Sequence, residues 1–395
     1  VSARPPLSFS HSTLSRSAAS GRRLACGIAL LFLVATPGRA LLRFNDGLDQ
    51  IHVIGTAALG WSSNIFSSQN GSSDTTYNAS LNLEYRRRAG YIGVNAGLGW
   101  DFGRFQKFTS ENFANPHASL EFTKDFGRST GSLLLKAAKQ SSTDSAANVR
   151  TQSKSYDAEL GWKYPVNDHY TFSGTFARTQ LDYINNVALV GLVSYLVSLD
   201  VFRAYSEERD YFGGYRIRLS DSTAGSSSVD HNFSLGVSGL VIPKVSGSLR
   251  LGYQLRQSRA SGTAATSTFH GLSAASTVSY APNRKLVFTG QLSKDFSTTS
   301  TDISTDTIAA NLNASYAYNA KFSVFADVGG GMNRFLGALG AGRRDYYFTW
   351  GFGANWTQSD RFKASLSYDW FHNWSNVARA DFTRQGLSLT LTSRW

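Results

Sequence analysis

Along much of the chain, apolar and polar residues alternate one by one. In residues 75–88, Tyr77, Ala79, Leu81, Leu83 and Tyr85 share one parity, and Asn78, Ser80, Asn82, Glu84, Arg86 and Arg88 the other. In residues 91–102, Ile92, Val94, Ala96, Leu98, Trp100 and Phe102 oppose Asn95, Asp101 and three glycines. In residues 346–356, Tyr346, Phe348, Trp350, Phe352, Ala354 and Trp356 oppose Thr349, Gly351, Gly353 and Asn355. A period of two marks a β-strand with one apolar face. Runs of about 10–14 residues are long for a soluble sandwich and suit a tilted bilayer crossing, which takes roughly 9–11.

The strands recur in a fixed rhythm. Pro165, Pro243 and Pro282 sit in similar polar turns, spaced 78 and 39 residues apart. Stepping by 39 lands on further short turns near 86–91, 125–131, 202–209, 318–322 and 357–362. Polar stretches at 67–74, 141–153, 222–230 and 258–268 fall between them and read as longer loops. The period predicts about nine hairpins over residues 41–395, hence eighteen strands, with sixteen as the nearest alternative. An even antiparallel count with short turns on one rim and loops on the other describes a transmembrane up-and-down β-barrel. Closure is required because lipid offers no partner to a strand edge. Uniform rungs leave no room for a long inserted constriction loop. About eight residues before the first strand leave none for a plug domain. Aromatics gather at both strand ends, with Trp162, Tyr280 and Trp356 near the turns and Trp61, Trp100 and Tyr253 near the loops, as interfacial belts do. One segment breaks the pattern: residues 186–202 are apolar on both parities. The expected strand there spans 187–199, either with an apolar inner face or packed by a protomer contact or an inward-folded loop.

Composition agrees with an all-β chain, since 36 Gly, 26 Phe, 18 Tyr and 8 Trp stand against 7 Pro. The single cysteine, Cys26, excludes a disulfide framework and any Cys-based metal site. Residues 1–40 read as a secretory signal peptide, with Arg22 and Arg23 ahead of an apolar run at 24–35 and small Gly38 and Ala40 before the cut. The barrel domain is then 41–395. The formal charge of +12 falls to +7 without the leader, 34 basic residues against 27 acidic. No basic block or nucleic-acid motif appears, so nucleic acid is not an expected partner.

The stretch GWSSNIF (60–66) that closes the first strand resembles the opening of the beta-barrel porin 2 family of Gram-negative outer-membrane proteins. Residues 239–256 and 359–376 carry further echoes of it. The resemblance implies an outer-membrane barrel, in a family often associated with exopolysaccharide gene clusters, and supplies no catalytic residues.

No zinc-protease, phosphate-loop or serine-hydrolase motif is present, so no cofactor and no enzyme activity are expected. An outer-membrane hydrolase would have to draw on isolated groups such as His372 with Asp369, or His270 among serines. The inner face carries the informative residues. Glu84, Arg86, Arg88, Asp157, Glu159, Asp210, Arg216, Arg218, Arg250 and Arg256 are expected to line a pore. Such charge density needs water or complete pairing. Arg216, Arg218, Arg250 and Arg256 fall near one another and form either a basic arc favouring anions or pairs with Asp157, Glu159 and Asp210. Inward Phe212, Phe325, Tyr347 and Phe371 are candidate stacking surfaces for sugar rings. At the C-terminus, Leu387, Leu389, Leu391 and Trp395 share one face and resemble the signal read by the outer-membrane barrel assembly machinery. The expected function is a porin-like channel in the outer membrane of a Gram-negative bacterium, passing small polar solutes, anions or saccharides. The alternative is a non-conducting scaffold for polysaccharide export.

Overall fold

The computed structural model describes residues 41–88, 90–144, 147–184, 188–262, 266–337 and 342–395. The expected signal peptide lies outside the described residues. A short strand, β1 (Leu42–Phe44), pairs with the start of β2 (Asp49–Ser62). The wall continues through β3 (Asp74–Arg87), β4 (Gly93–Phe105), β5 (Phe113–Lys124), β6 (Thr130–Asp144), β7 (Val149–Pro165), β8 (Tyr170–Ile184) and β9 (Leu192–Ser206). It runs on through β10 (Arg209–Ser222), β11 (Ser227–Ile242), β12 (Val245–Arg259), β13 (Thr266–Tyr280) and β14 (Leu286–Thr298). It ends with β15 (Ser304–Ala317), β16 (Phe322–Phe335), β17 (Arg344–Thr357), β18 (Phe362–Ser375) and β19 (Phe382–Arg394). Each strand from β2 to β19 pairs antiparallel with its neighbours in sequence. β19 closes on β2 from Gly386↔Ser62 to Arg394↔Ile54. Trp395 and Val53 exchange backbone hydrogen bonds of 2.9 and 2.8 Å across that seam. The eighteen-stranded, all-β barrel expected from the rhythm of the sequence is therefore closed.

The apolar parity faces outward, as the patterning requires. Leu81, Leu83, Leu98, Trp100, Leu160, Trp162, Leu251, Trp356 and Leu387 all stand exposed on the outer surface. All eight short turns lie where the repeat places them, from 88–92 to 358–361, and two of them, 207–208 and 243–244, are only two residues long.

The opposite rim differs from expectation. The stretches at 141–153, 222–230 and 258–268 hold more strand than expected, because β6, β7, β10, β11, β12 and β13 run into them. The ambiguous segment also shifts. Its strand is β9, Leu192–Ser206, later than the expected 187–199, and residues 185–187 lie outside the described residues. From Val193 onward its alternation is normal, with Val197, Leu199 and Val201 exposed outward and Asp200 inward. The extra apolar residues are the lead-in. Leu189 is buried, and Val190 N–H donates to the Ser300 carbonyl of the β14–β15 tip at 2.8 Å. Of the alternatives, packing by an inward-folded segment is the one present.

That packing requires two hairpins to leave the wall. β13 and β14 pair only from Ala274↔Lys294 to Tyr280↔Phe288, in their turn-side halves, whereas β12–β13 and β14–β15 pair along their whole lengths. β5 and β6 likewise pair only from His117↔Ala138 to Lys124↔Gly131. Above these levels the β14–β15 and β6–β7 hairpins lean over the mouth. Polar residues fall on both parities there, Lys294, Asp295, Ser297 and Thr298 on β14 and Lys139, Gln140, Ser141 and Ser142 on β6, so no continuous apolar face holds them against lipid. The mouth is narrowed by these hairpins and not by a long inserted loop, for which the repeat leaves no room.

Candidate functional site: the lumen and its narrowed mouth

The inner wall divides into two unlike halves. On β9–β14 the charges are locked together. Arg250 on β12 reaches Asp200 on β9 at 2.8 Å, with its guanidinium 4.5 Å over the Phe212 ring. Two glycines make this possible. A Cβ at Gly214 would collide with the Asp200 carboxylate, and one at Gly236 with the Phe212 ring. Asp230 on β11 receives Arg218 at 2.7 Å and Arg256 at 2.6 Å. Arg218 also meets Asp295 on β14, which pairs with Arg216 at 2.8 Å. Arg218 and Arg256 further donate to the Phe296 and Ser297 carbonyls, tying the leaning β14 to β10 and β12. Arg256 and Phe296 are each 1% exposed.

The expected basic arc is thus largely neutralised, four arginines against three carboxylates, and its partners are not the expected Asp157, Glu159 and Asp210 but Asp200, Asp230 and Asp295. Arginine forks bonded to carboxylates and carbonyls hold such a group stably, because a buried guanidinium left unpaired is costly. Asp200 and Asp230 escaped the sequence reading. The signal was present for Asp230, which shares the parity of Ser234 and Gly236 and opposes the outward Phe233 and Leu235.

The other half is sparsely paired. Asp157 and Glu159 on β7 have no hydrogen-bonding or charged partner among the described residues, and Glu159 is exposed. Glu84 makes only long contacts of 3.9 Å to Arg86 and Arg394. Within the paired half itself Asp210 on β10 is an exception, half-buried without an ion pair among the described residues. Arg88 is the exception to the expected pore lining. It lies in an exposed turn, off the barrel wall.

The four candidate stacking rings do not converge. Phe212 is sealed under Arg250, and Phe325 lies against Gly353. Tyr347 and Phe371 do stack, centroids 5.9 Å apart. Phe382 extends the ladder at 5.5 Å and Arg384 covers Phe371 at 5.4 Å. The named candidate pair does not form: His372 binds Thr383 at 2.6 Å and nears Asp381 at 3.8 Å, while Asp369 lies on the opposite parity of the same strand.

At the mouth the two leaning hairpins approach a common residue, Tyr183 on β8. Its hydroxyl donates to Asp144 at the end of β6 at 3.2 Å, and Ser300 of the β14–β15 tip lies beside it. The outward residues at this height are Arg178, Gln180 and Asp182, linked at 2.6 and 2.7 Å, so Tyr183 stands beyond the apolar band. Burial, then the Asp144 charge, push its phenol up to about 12. Ser226 on the β10–β11 loop also donates to Asp302 of the tip.

Beneath the mouth, a cavity of about 500 Å³ opens between β2–β3, β18–β19 and the β6–β7 hairpin. Arg384, Asp369, Arg150, Phe105, Phe113 and Asn78 are among its lining residues. Arg150 reaches it because the outer parity of the leaning hairpin turns to face the lumen. It lies over Phe105 and Phe113 at 4.7 and 5.9 Å and near Glu111 at 3.7 Å. Sequence reading placed Arg150 in a loop and gave it no role. Among the described residues no group of His, Cys, Asp and Glu is arranged to hold a metal.

The architecture has known counterparts. The crystal structure of Pseudomonas aeruginosa OccK2 (OpdF) superposes with a TM-score of 0.50 at 10% identity, over 88% of this chain and 97% of that one. The Neisseria meningitidis FrpB iron transporter, F5-1 variant, gives 0.51 at 8% identity, over 82% of this chain and 61% of that longer one. Pseudomonas aeruginosa OpdK with vanillate gives 0.48 at 11% identity, over 87% and 99%. This is an outer-membrane-type β-barrel. At such identities the likeness concerns the fold alone. No family model and no curated protein matches the chain.

Proposed function

We propose that the chain is an outer-membrane channel, without enzymatic activity, that passes small polar solutes through a hydrated lumen. The observation that carries this reading is the unpaired charge of the inner wall. Asp157 and Glu159 face the barrel interior without partners among the described residues, which a dry core does not tolerate. Barrels of this strand number leave an aqueous channel when no domain fills them. The leaning β6–β7 and β14–β15 hairpins narrow that channel at the loop rim, so passage is restricted to small solutes and follows the β2–β7 and β18–β19 side. OccK2 has been crystallised with glucuronate, which is in keeping with a polar solute here. Neutralisation of the arginine arc argues against a simple anion filter, and links to polysaccharide export rest on the family resemblance.

Purified protein inserted into planar bilayers should give stepwise conductance. Absence of conductance from correctly folded barrel, judged by its heat-modifiable migration, would overturn the channel and leave the scaffold reading. Removal of Trp395, whose backbone pairs with Val53 at the closing seam, should impair insertion far more than it alters the conductance of whatever inserts.

A further inference from the structure

The cavity under the mouth holds two charges without partners, and they are of opposite sign. Arg384 on β19 rests over the Phe371 ring and, among the described residues, meets no carboxylate. Asp369 on β18 has no cation or hydrogen-bond donor among the described residues. The two sit on paired strands two positions out of register, since Asp369 faces Gly386 and Phe371 faces Arg384. Gly386 leaves the Asp369 carboxylate room to lie across it, for a Cβ there would collide with the carboxylate. Both side chains line the same space of about 500 Å³. Its far wall is apolar, with Phe105 and Phe113 held in place by Arg150, whose own charge is met by Glu111.

We propose that this cavity is a binding site for a zwitterionic α-amino acid with an apolar side chain. The proposal rests on the channel reading and names its substrate class. An anion alone would satisfy Arg384 but bring its charge against Asp369, and a cation would do the reverse. A molecule carrying both charged groups on one carbon matches both side chains, because charge-assisted hydrogen bonds are strong where water is partly excluded. Its side chain then lies towards Phe105 and Phe113, where an aromatic ring gains edge or stacked contacts. The volume exceeds that of a single amino acid and leaves room for water on Thr76, Asn78 and Ser388.

The probe is L-phenylalanine, added to the loop side during single-channel recording. It should produce transient block. Arg384→Gln and Asp369→Asn should each raise the half-blocking concentration about tenfold, the loss expected for one charge-assisted contact. 3-Phenylpropionate, which lacks the amine, should block weakly in the unmodified channel and more strongly in Asp369→Asn, where the opposing carboxylate is gone. Glucuronate or 3-phenylpropionate blocking as well as phenylalanine in the unmodified channel would overturn the proposal in favour of an anion site. A conducting channel that phenylalanine does not block would overturn it while leaving the channel intact. If the folded barrel does not conduct, calorimetric titration of phenylalanine into detergent-solubilised protein decides the site alone. Binding lost in both variants would support it, and no binding would overturn it.

Discussion

The two halves of the inner wall contain the same residue types and treat them in opposite ways. On β9–β14, four arginines are drawn onto Asp200, Asp230 and Asp295 and bridge strands up to four apart. On β3, β7, β18 and β19, Glu84, Asp157, Glu159, Asp369 and Arg384 stand apart or in long contacts. The first arrangement fastens a leaning hairpin to β10 and β12, and the second lines the proposed water path. Charge on an inner face therefore does not by itself mean pore. Burial decides, because a guanidinium 1% exposed must be paired whereas a carboxylate in water need not be.

This contrast is open to direct attack. The largest effect is expected from Asp230→Ala, which leaves the buried Arg256 without a carboxylate and Arg218 with Asp295 alone. A loss of about 3–5 kcal/mol in urea unfolding should follow, with the mouth opening and conductance rising as β14 is released. An effect as small as that of Glu159→Gln would mean the locked half is not locked. Next comes Gly214→Val, whose side chain must displace Asp200 and free Arg250. It should destabilise by about 1–3 kcal/mol and move the reversal potential in asymmetric salt towards anion preference. On the sparsely paired half the balance should invert. Asp157→Asn with Glu159→Gln should change stability by less than about 0.5 kcal/mol yet shift the reversal potential towards anions. An unchanged potential would place the ion path elsewhere. The smallest effect concerns Tyr183. Its folded pKa of about 12 lies above the ordinary value of 10.0, so its contribution is complete below pH 10 and is lost as pH rises towards 12. Tyr183→Phe should flatten the unfolding midpoint across that interval, and an unchanged slope would detach this residue from the alkaline response.

How far the sequence could be read differed from wall to mouth. Strand faces, the eighteen-strand count, the turn positions and the outward belts followed from a period of two nested in a period of 39, because the bilayer imposes one apolar face on each crossing. Beyond the apolar band that constraint ends. The polar stretches at 141–153 and 258–268 gave no hint of whether they were loop or strand, and strands run into both from either side. Arg150 and Tyr183 were invisible as mouth residues for the same reason. Each owes its place to a hairpin that leaves the wall, and no local pattern encodes that. The arginines were read correctly as facing inward, but their partners were not, since Asp295 lies four strands from Arg218 and nearly eighty residues away.

What this sequence determined alone is the barrel: which residues face lipid, where the chain turns, and that the last strand must meet the first. Those features depend on each strand's own alternation and on backbone groups that lipid will not satisfy. Tertiary structure alone decided which inward charges are spent on each other and which remain for solutes. That choice depends on where the seams β5–β6 and β13–β14 stop pairing. It also depends on which side chains then meet across the lumen, where distance in space has no counterpart in sequence spacing.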